Sequence, residues 1–445
     1  MKEVTKYNYT ELLDKSDEEI INSVGMAEMP LIVWILEKKY NGEVNLIDIG
    51  GDCMIRFGET NVANMSYLAT YLHFFYADSE TVRMMGNISF PAVFDKRFRF
   101  FILLNNEKVY CPLGEDNFDR YVDNSRYEIR NVFDYSFSLK DYISKETDTA
   151  VRVSFGFETD GISSICNKIN SMRFSPLADV IPGQFYAKDG FVFRIENNSI
   201  IGKKTSKEEI REYENEFRKN CKEILSAANN TRNDRSEKKE YFFDYESICS
   251  LRDYFYKFTG SDHKPVWVFM DRPDRADDNA LVLFEYVQKF EEIDSYYVIS
   301  DKSDDFKRIS SVGKTVPLYS KQHFELALTA DCIISSQCNG AVENPFWEYA
   351  EYFRDLYHRP KMIFLQHGVI KDDMSLTLNR FNTGFTGFVT STEDEYCSIL
   401  NYPYGYTEEE VWLTGLPRYD KLYNDDSKII LIMPSWRKGL MEQTW

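Results

Sequence analysis

Histidine is scarce in this chain, with five among 445 residues, at positions 73, 263, 323, 358 and 367. No two of them have the spacing of zinc ligands, so no metal site is expected. Cysteine is thin and scattered: eight residues, none in a CxxC, with five residues between Cys332 and Cys338. In a chain of this size that pattern points to reduced thiols of a cytosolic protein rather than to disulfides. Positive charge is in deficit, 53 Lys and Arg against 72 Asp and Glu, which leaves a net charge of −19. A nucleic-acid binder needs the opposite balance to neutralise phosphates. Long apolar runs are missing too. Pro30-Leu-Ile-Val-Trp-Ile-Leu36 is far shorter than the roughly 20 residues of a membrane span, and the first residues show no apolar core of a signal peptide.

The hydrophobic share is 43% and the aromatic share 16%, with 30 Tyr and 33 Phe, which excludes a disordered chain. At roughly 150 residues per domain the length implies two to four domains. Residues 1–85 read as a helical region, from Asp17-Glu-Glu-Ile-Ile and from Tyr67-Leu-Ala-Thr-Tyr-Leu-His-Phe-Phe75. His73, inside that aromatic stretch, is expected to be a packed core residue. Residues 86–205 carry short alternating runs such as Arg97-Phe-Arg-Phe-Phe-Ile-Leu103, separated by turns such as Asp160-Gly161 and Asp189-Gly190. They predict a β-rich, sandwich-like domain. Residues 206–261 read as a charged helix capped by Ser206, followed by a polar hinge at 229–240.

From residue 262 strands and helices alternate. Strands are expected at 266–270, 296–300, 331–335, 361–365, 387–390, 411–414 and 429–433. Helices are expected from Asp278, from Lys321, from Asn344-Pro345 with an apolar stripe Phe346, Tyr349, Phe353 and Leu356, and from the capping box Thr392–Glu395. This alternation implies an α/β lobe with a doubly wound parallel sheet, whose ligands bind beyond the carboxyl ends of the strands. No GxGxxG is present. Polar groups follow each strand: Asp271 to Asn279, Ser336 to Gly340, Gln366-His-Gly368 with Lys371, Asp372 and Asp373, Arg418, and Ser435 to Arg437. That pattern suits a phosphate-bearing ligand other than a dinucleotide. His367 is placed either to act as a general base or to serve structure. Gly368 would let a ligand approach the backbone. Arg418 and Arg437 are either phosphate forks or surface ion-pair partners.

Phe364-Leu-Gln-His-Gly-Val-Ile-Lys-Asp-Asp373, Leu413-Thr-Gly-Leu-Pro-Arg-Tyr-Asp-Lys-Leu422 and Ile430-Leu-Ile-Met-Pro-Ser-Trp-Arg437, together with Ala276-Asp-Asp-Asn279 and Glu343-Asn-Pro-Phe346, resemble the CDP-glycerol glycerophosphotransferase family of teichoic-acid and capsule polymerases. The resemblance covers roughly residues 262–445. It implies a GT-B architecture of two Rossmann-like lobes, the first at 262–428 and the second begun at 429–445. It implies transfer of glycerol phosphate from CDP-glycerol to a hydroxyl of a growing polymer, with release of CMP and without a cofactor.

His367 would be the general base, with Asp372 or Asp373 orienting it. Gly368, Lys371, Arg418, Ser435 and Arg437 would contact substrate. The acceptor would be a lipid-linked polyol phosphate or glycan, which implies a cytoplasmic protein peripheral to the inner face of the membrane. The second lobe is expected to be truncated here and the chain alone to be inactive or very weak. Ribitol-phosphate or glycosyl transfer on the same fold, or a non-catalytic polymer-binding remnant, are the alternative readings.

Overall fold

The computed structural model describes residues 9–25, 28–42, 44–50, 52–122, 125–143, 150–166, 168–172, 174–231, 243–259, 261–338, 340–357, 361–401, 404–423 and 428. The protein is a mixed α/β chain with several sheets. Three helices come first, Tyr9–Leu13, Asp17–Val24 and Met29–Lys39. Ser16 and Glu19 close a reciprocal capping box on the second. The apolar run from Pro30 to Leu36 is the third helix, buried on every side, so it is core rather than a span. No helix among the described residues is long and apolar enough to cross a membrane.

Strands then begin earlier than expected. Asn45–Ile49, Asp52–Phe57 and Thr60–Asn64 form a small antiparallel sheet, and Tyr67–Phe75, expected as helix, falls largely on the strand Ala69–Ala77. The cause is a bulge. Pairing with Thr81–Pro91 slips between Leu72 and Phe74, which leaves His73 as the extra residue. One inserted residue in an alternating strand spaces Leu68, Leu72 and Phe75 like the stripe of a helix, and all three are buried. His73 is also buried, its ring 4.7 Å from that of Phe381, as its core assignment requires.

Ala69–Ala77 belongs to a five-stranded sheet and Ala150–Thr159 to a seven-stranded one. Phe133 of the first sheet lies 5.1 Å from Phe100 and 5.4 Å from Phe155 of the second, so one aromatic core serves both. Gly86 is obligatory at this junction, because a Cβ there would stand 2.1 Å from the carbonyl oxygen of Tyr71.

The helix Lys207–Thr231 starts with Ser206 and Glu209 exchanging cap hydrogen bonds and extends past the expected start of the hinge; residues 232–240 lie outside the described residues. It packs beside the helix Tyr245–Thr259 through Arg252, which has no exposed surface. The guanidinium forks onto Glu214 (2.7 and 2.7 Å) and Asp355 (2.9 and 2.7 Å) and donates to the Tyr352 carbonyl at 2.8 Å. Burial alone would raise the Glu214 carboxyl, but Arg252 and Arg218 outweigh it and bring it down to about 2. Five of the eight cysteines are buried, and all eight are free thiols.

Among the described residues the C-terminal sheet has seven parallel strands. Their order is Lys314–Pro317, Asp294–Ile299, Val266–Met270, Cys332–Ser335, Lys361–Phe364, Gly387–Thr390, Val411–Leu413. The order reverses between Val266–Met270 and Cys332–Ser335, as in a doubly wound sheet. Lys314–Pro317 is a strand the sequence pattern did not reveal, and the expected strand 429–433 lies outside the described residues. The segment after Asn344-Pro345 is not the expected α-helix. It forms 3-10 turns over Trp347–Tyr352 and one short helix, Arg354–Tyr357, because Trp347 takes φ of 47°. Its apolar stripe is nonetheless buried.

Right-handed crossovers explain the two flanks of the sheet. The crossover helix Asn279–Val287 packs on one flank against Phe269, Tyr297 and Ile334. After the reversal the connections return on the opposite flank, where Leu378 and Ile399 pack on Phe364 and Phe388. Half of the first flank is therefore left as an apolar trough of about 970 Å³, walled by Trp267, Leu283, Ile334, Ile363, Val389 and Trp412.

Two buried histidines set an acid limit on this fold. Burial pushes His73 and His323 down to about 4, and Nδ1 of His323 accepts from the Tyr319 amide at 3.0 Å. Both are held neutral, so their share of stability is complete above pH 6.5 and is lost as pH falls from there through 4, by about 3 kcal/mol each. The urea midpoint is expected to drop between pH 7 and 4.5. His73→Phe is expected to shrink that drop while changing stability at pH 7 by about 1 kcal/mol or less. An unchanged drop in the variant contradicts this account.

Candidate functional site

The strand reversal concentrates polar groups beyond the carboxyl ends of the strands. Asp271 ends the strand Val266–Met270 with no exposed surface. Its carboxylate accepts from the backbone N–H of Asp278 (3.2 Å), Ala280 (3.0 Å) and Leu281 (3.2 Å), the free donors at the start of Asn279–Val287. It also accepts from the Tyr297 hydroxyl at 2.8 Å and the Ser336 hydroxyl at 2.5 Å. One carboxylate thus ties the strand Asp294–Ile299 and the ends of Val266–Met270 and Cys332–Ser335 to one helix.

Asn279, also fully buried, extends the network. Its Nδ2 donates to the Gln366 carbonyl at 2.7 Å, and its Oδ1 accepts from the Arg418 backbone N–H at 3.0 Å. Arg418 reaches back with one guanidinium nitrogen, donating to Asp278 Oδ1 at 3.0 Å and to the His367 carbonyl at 2.9 Å. Burial first, and the neighbouring Asp271 second, push the Asp278 carboxyl above its ordinary value, against the pull of Arg418.

Gln366 holds the other side of the loop. It is a buried non-glycine residue with φ of 61°, and strain of that kind persists only where surroundings fix it. Its Nε2 donates to the Val389 carbonyl at 2.6 Å and to Glu395 at 3.0 Å. Glu395 also accepts from the backbone N–H of Ile370 (2.6 Å) and Ser391 (2.7 Å). The expected capping box is thus half made. Thr392 caps the Glu395 amide at 3.2 Å, while the Glu395 side chain turns to the His367 loop. His367 is left exposed beside the fixed Gln366.

The expected site residues separate into groups. His367 and Arg418 meet through the His367 carbonyl. Gly368 follows, in open space and without a left-handed backbone, so nothing in the protein itself demands glycine there. Lys371 and Asp373 line a separate polar cavity of about 490 Å³ with Asp394 and Tyr404. Hydrogen bonds to Ser375, whose amide Asp373 accepts at 2.9 Å, pull the Asp373 carboxyl below its ordinary value. Among the described residues, no hydrogen bond joins Asp372 or Asp373 to His367. Ser435 and Arg437 lie outside the described residues. Arg418 is tied to the loop by one nitrogen, so it positions His367 as much as it offers charge.

Asp271, Asn279, Gln366 and Glu395 were not among the expected site residues. Asn279 and Gln366 stood within quoted motifs, but only the fold shows that they join separate loops.

Residues 253–444 match the family described as CDP-Glycerol:Poly(glycerophosphate) glycerophosphotransferase. Over that segment, under half of the chain, the sequence is similar to this family. It is also 34% identical over 287 residues to the Minor teichoic acid biosynthesis protein GgaB of Bacillus subtilis (strain 168), an alignment covering 64% of this chain and 31% of GgaB. The chain spans about a third of the length of that relative. Two solved structures show partial likeness. The wall teichoic acid polymerase TagF has a TM-score of 0.30 at 15% identity, over 41% of this chain and 46% of TagF. S. aureus TarS has a TM-score of 0.23 at 11% identity, over 45% and 39%. The family segment contains the whole network from Asp271 to Arg418.

Replacing Glu395 with Gln tests that network. The amide has one oxygen for donors on two sides, so its NH2 must face the amide of Ile370 or of Ser391. A local loss of about 1–3 kcal/mol is expected. Hydrogen exchange should show faster amides at Ile370 and Ser391 with the strand Val266–Met270 unchanged. Unaltered exchange at both amides contradicts the assignment.

Proposed function

We propose that this chain forms the first of two GT-B lobes of a transferase. The enzyme moves glycerol phosphate from CDP-glycerol to a hydroxyl of a growing teichoic-acid or capsular polymer. The observation that carries this reading is the exposed His367 on a loop held by Arg418 and Asn279 on one side and Glu395 on the other, inside the segment matched by the family.

In this mechanism the His367 imidazole takes the proton of the acceptor hydroxyl as its oxygen attacks the phosphorus that bears glycerol. The bond from that phosphorus to the CMP oxygen breaks, CMP leaves, and His367 is left protonated. Such transfers rely on positioning and on cations facing the transferred phosphoryl. Arg418 offers its remaining N–H groups, and Lys371, Ser435 and Arg437 are the other proposed contacts. Gly368 leaves room for a ligand beside the backbone. Asp373 is engaged with Ser375, so Asp372 is the proposed orienter of His367. A lipid-linked acceptor would bring the protein to the inner face of the membrane as a peripheral partner.

The test is CMP release from CDP-glycerol with a lipid-linked glycerol-phosphate primer, for this chain and for the longest reading frame that contains it. His367→Ala is expected to lower release by at least about 100-fold, the scale of a lost general base. Undiminished release in the variant removes His367 from the chemistry. A folded wild type that releases nothing from CDP-glycerol but turns over CDP-ribitol reassigns the donor.

A further inference from the structure

Three non-glycine residues of the C-terminal lobe take a left-handed backbone: Tyr319 (φ 59°), Trp347 (φ 47°) and Gln366 (φ 61°). Each lies in a segment that follows the carboxyl end of a strand. Gln366 holds the His367 loop. Trp347 does something different, because 54% of its surface is exposed.

The indole is also seated. A Cβ on Gly340 would stand 2.3 Å from Cη2 and 2.5 Å from Cζ2 of Trp347, so only glycine lets the ring lie against that backbone. Its Nε1 donates to the Tyr319 hydroxyl at 3.4 Å, which pins the polar edge. The turn that presents it is closed by the Trp347 amide on the Asn344 carbonyl at 3.3 Å, over the fully buried Phe346. A large aromatic ring is thus fixed by backbone, glycine and hydrogen bond, with much of its surface in water.

We infer that Trp347 is a stacking platform for a pyranose ring of the acceptor, resting on the acceptor-transfer reading above. The C–H groups on one face of a sugar ring supply apolar contact to an aromatic face, and a rigid ring gains it at little cost in side-chain freedom. The site suits a neutral ring rather than a nucleotide. Among the described residues no Lys or Arg lies over the Trp347 ring to meet a phosphate, and the buried acid Glu343 stands nearby in the chain. The platform shares its edge of the sheet with His367, since its segment follows Cys332–Ser335, the neighbour of the strand that leads to His367.

The experiment uses the chain labelled with 5-fluorotryptophan, titrated with chitotriose and, separately, with a glycerol-phosphate oligomer. The fluorine resonance missing from Trp347→Phe is expected to shift saturably with chitotriose, while that of the exposed Trp412 stays in place. Trp347→Ala should weaken chitotriose binding by about tenfold or more, the scale of one lost stacking contact, and Trp347→Phe should keep most of it. Gly340→Ala keeps the tryptophan but displaces it, and should weaken binding as Trp347→Ala does.

No shift with chitotriose, or equal binding by all variants, overturns the platform. A shift with the glycerol-phosphate oligomer alone overturns its assignment to a sugar. Chitotriose binding needs no donor, so the two readings fail separately. His367-dependent CMP release without sugar binding rejects only the platform. Sugar binding at Trp347 without any turnover by the longest reading frame, with CDP-glycerol or CDP-ribitol, rejects only the transferase.

Discussion

The Asp271 carboxylate is the constraint on which the site rests. It sits with no exposed surface where the strand order reverses and receives five hydrogen bonds from three segments. A buried charge persists only when its donors are supplied, and here a helix start supplies most of them. Because those donors are the amides of Asp278, Ala280 and Leu281, the same carboxylate fixes where Asn279 points. Asn279 in turn bridges the Gln366 carbonyl and the Arg418 amide, which begin the two loops facing each other at the sheet's edge. The geometry around His367 is therefore inherited from a residue that need never touch a substrate.

The handedness of the crossovers divides the lobe. One flank at the reversal is closed by Asn279–Val287 and the other by the later helices, so polar chemistry gathers at the strand ends and apolar surface at the bare half of the first flank. Size alone would favour the trough of about 970 Å³ as a binding site. Its walls are largely hydrocarbon, however, and a parallel sheet ordinarily has both faces covered. The trough reads as packing surface, and the edge is where the proposed transfer would take place.

What was legible in the sequence follows the range of the interactions. Buried strands flanked by polar exits were plain in Val266–Met270, Cys332–Ser335 and Gly387–Thr390, because a short apolar run ended by a polar turn is a local signal. The bulge at His73 and the left-handed Trp347 were not legible. Each breaks a local period where it meets a partner outside that period: the Thr81–Pro91 strand for the first, Gly340 and the Tyr319 hydroxyl for the second. His367 was visible as a histidine between a strand and a glycine. The function of Gln366 was not, since a φ of 61° leaves no mark on composition. Glu395 was read as a helix cap, which is half of what it does. Its second bond runs 25 residues back to the Ile370 amide.

Charge raises the remaining question of how an acidic chain would meet the doubly charged donor of the proposed reaction. The net charge is −19, and Arg418, beside the His367 loop, already faces Asp278 at 3.0 Å. That pairing lowers the positive potential Arg418 offers to a phosphate. It is also what aims the guanidinium at the His367 carbonyl. Burial and Asp271 raise the Asp278 carboxyl, which makes Asp278 a less willing anion than an exposed aspartate. An incoming phosphate would compete with Asp278 for Arg418, and a carboxyl already raised is the easier of the two acids to displace or protonate. In the proposed reaction Arg418 would thereby link donor charge to the position of His367, because the same guanidinium nitrogen holds both Asp278 and the His367 carbonyl.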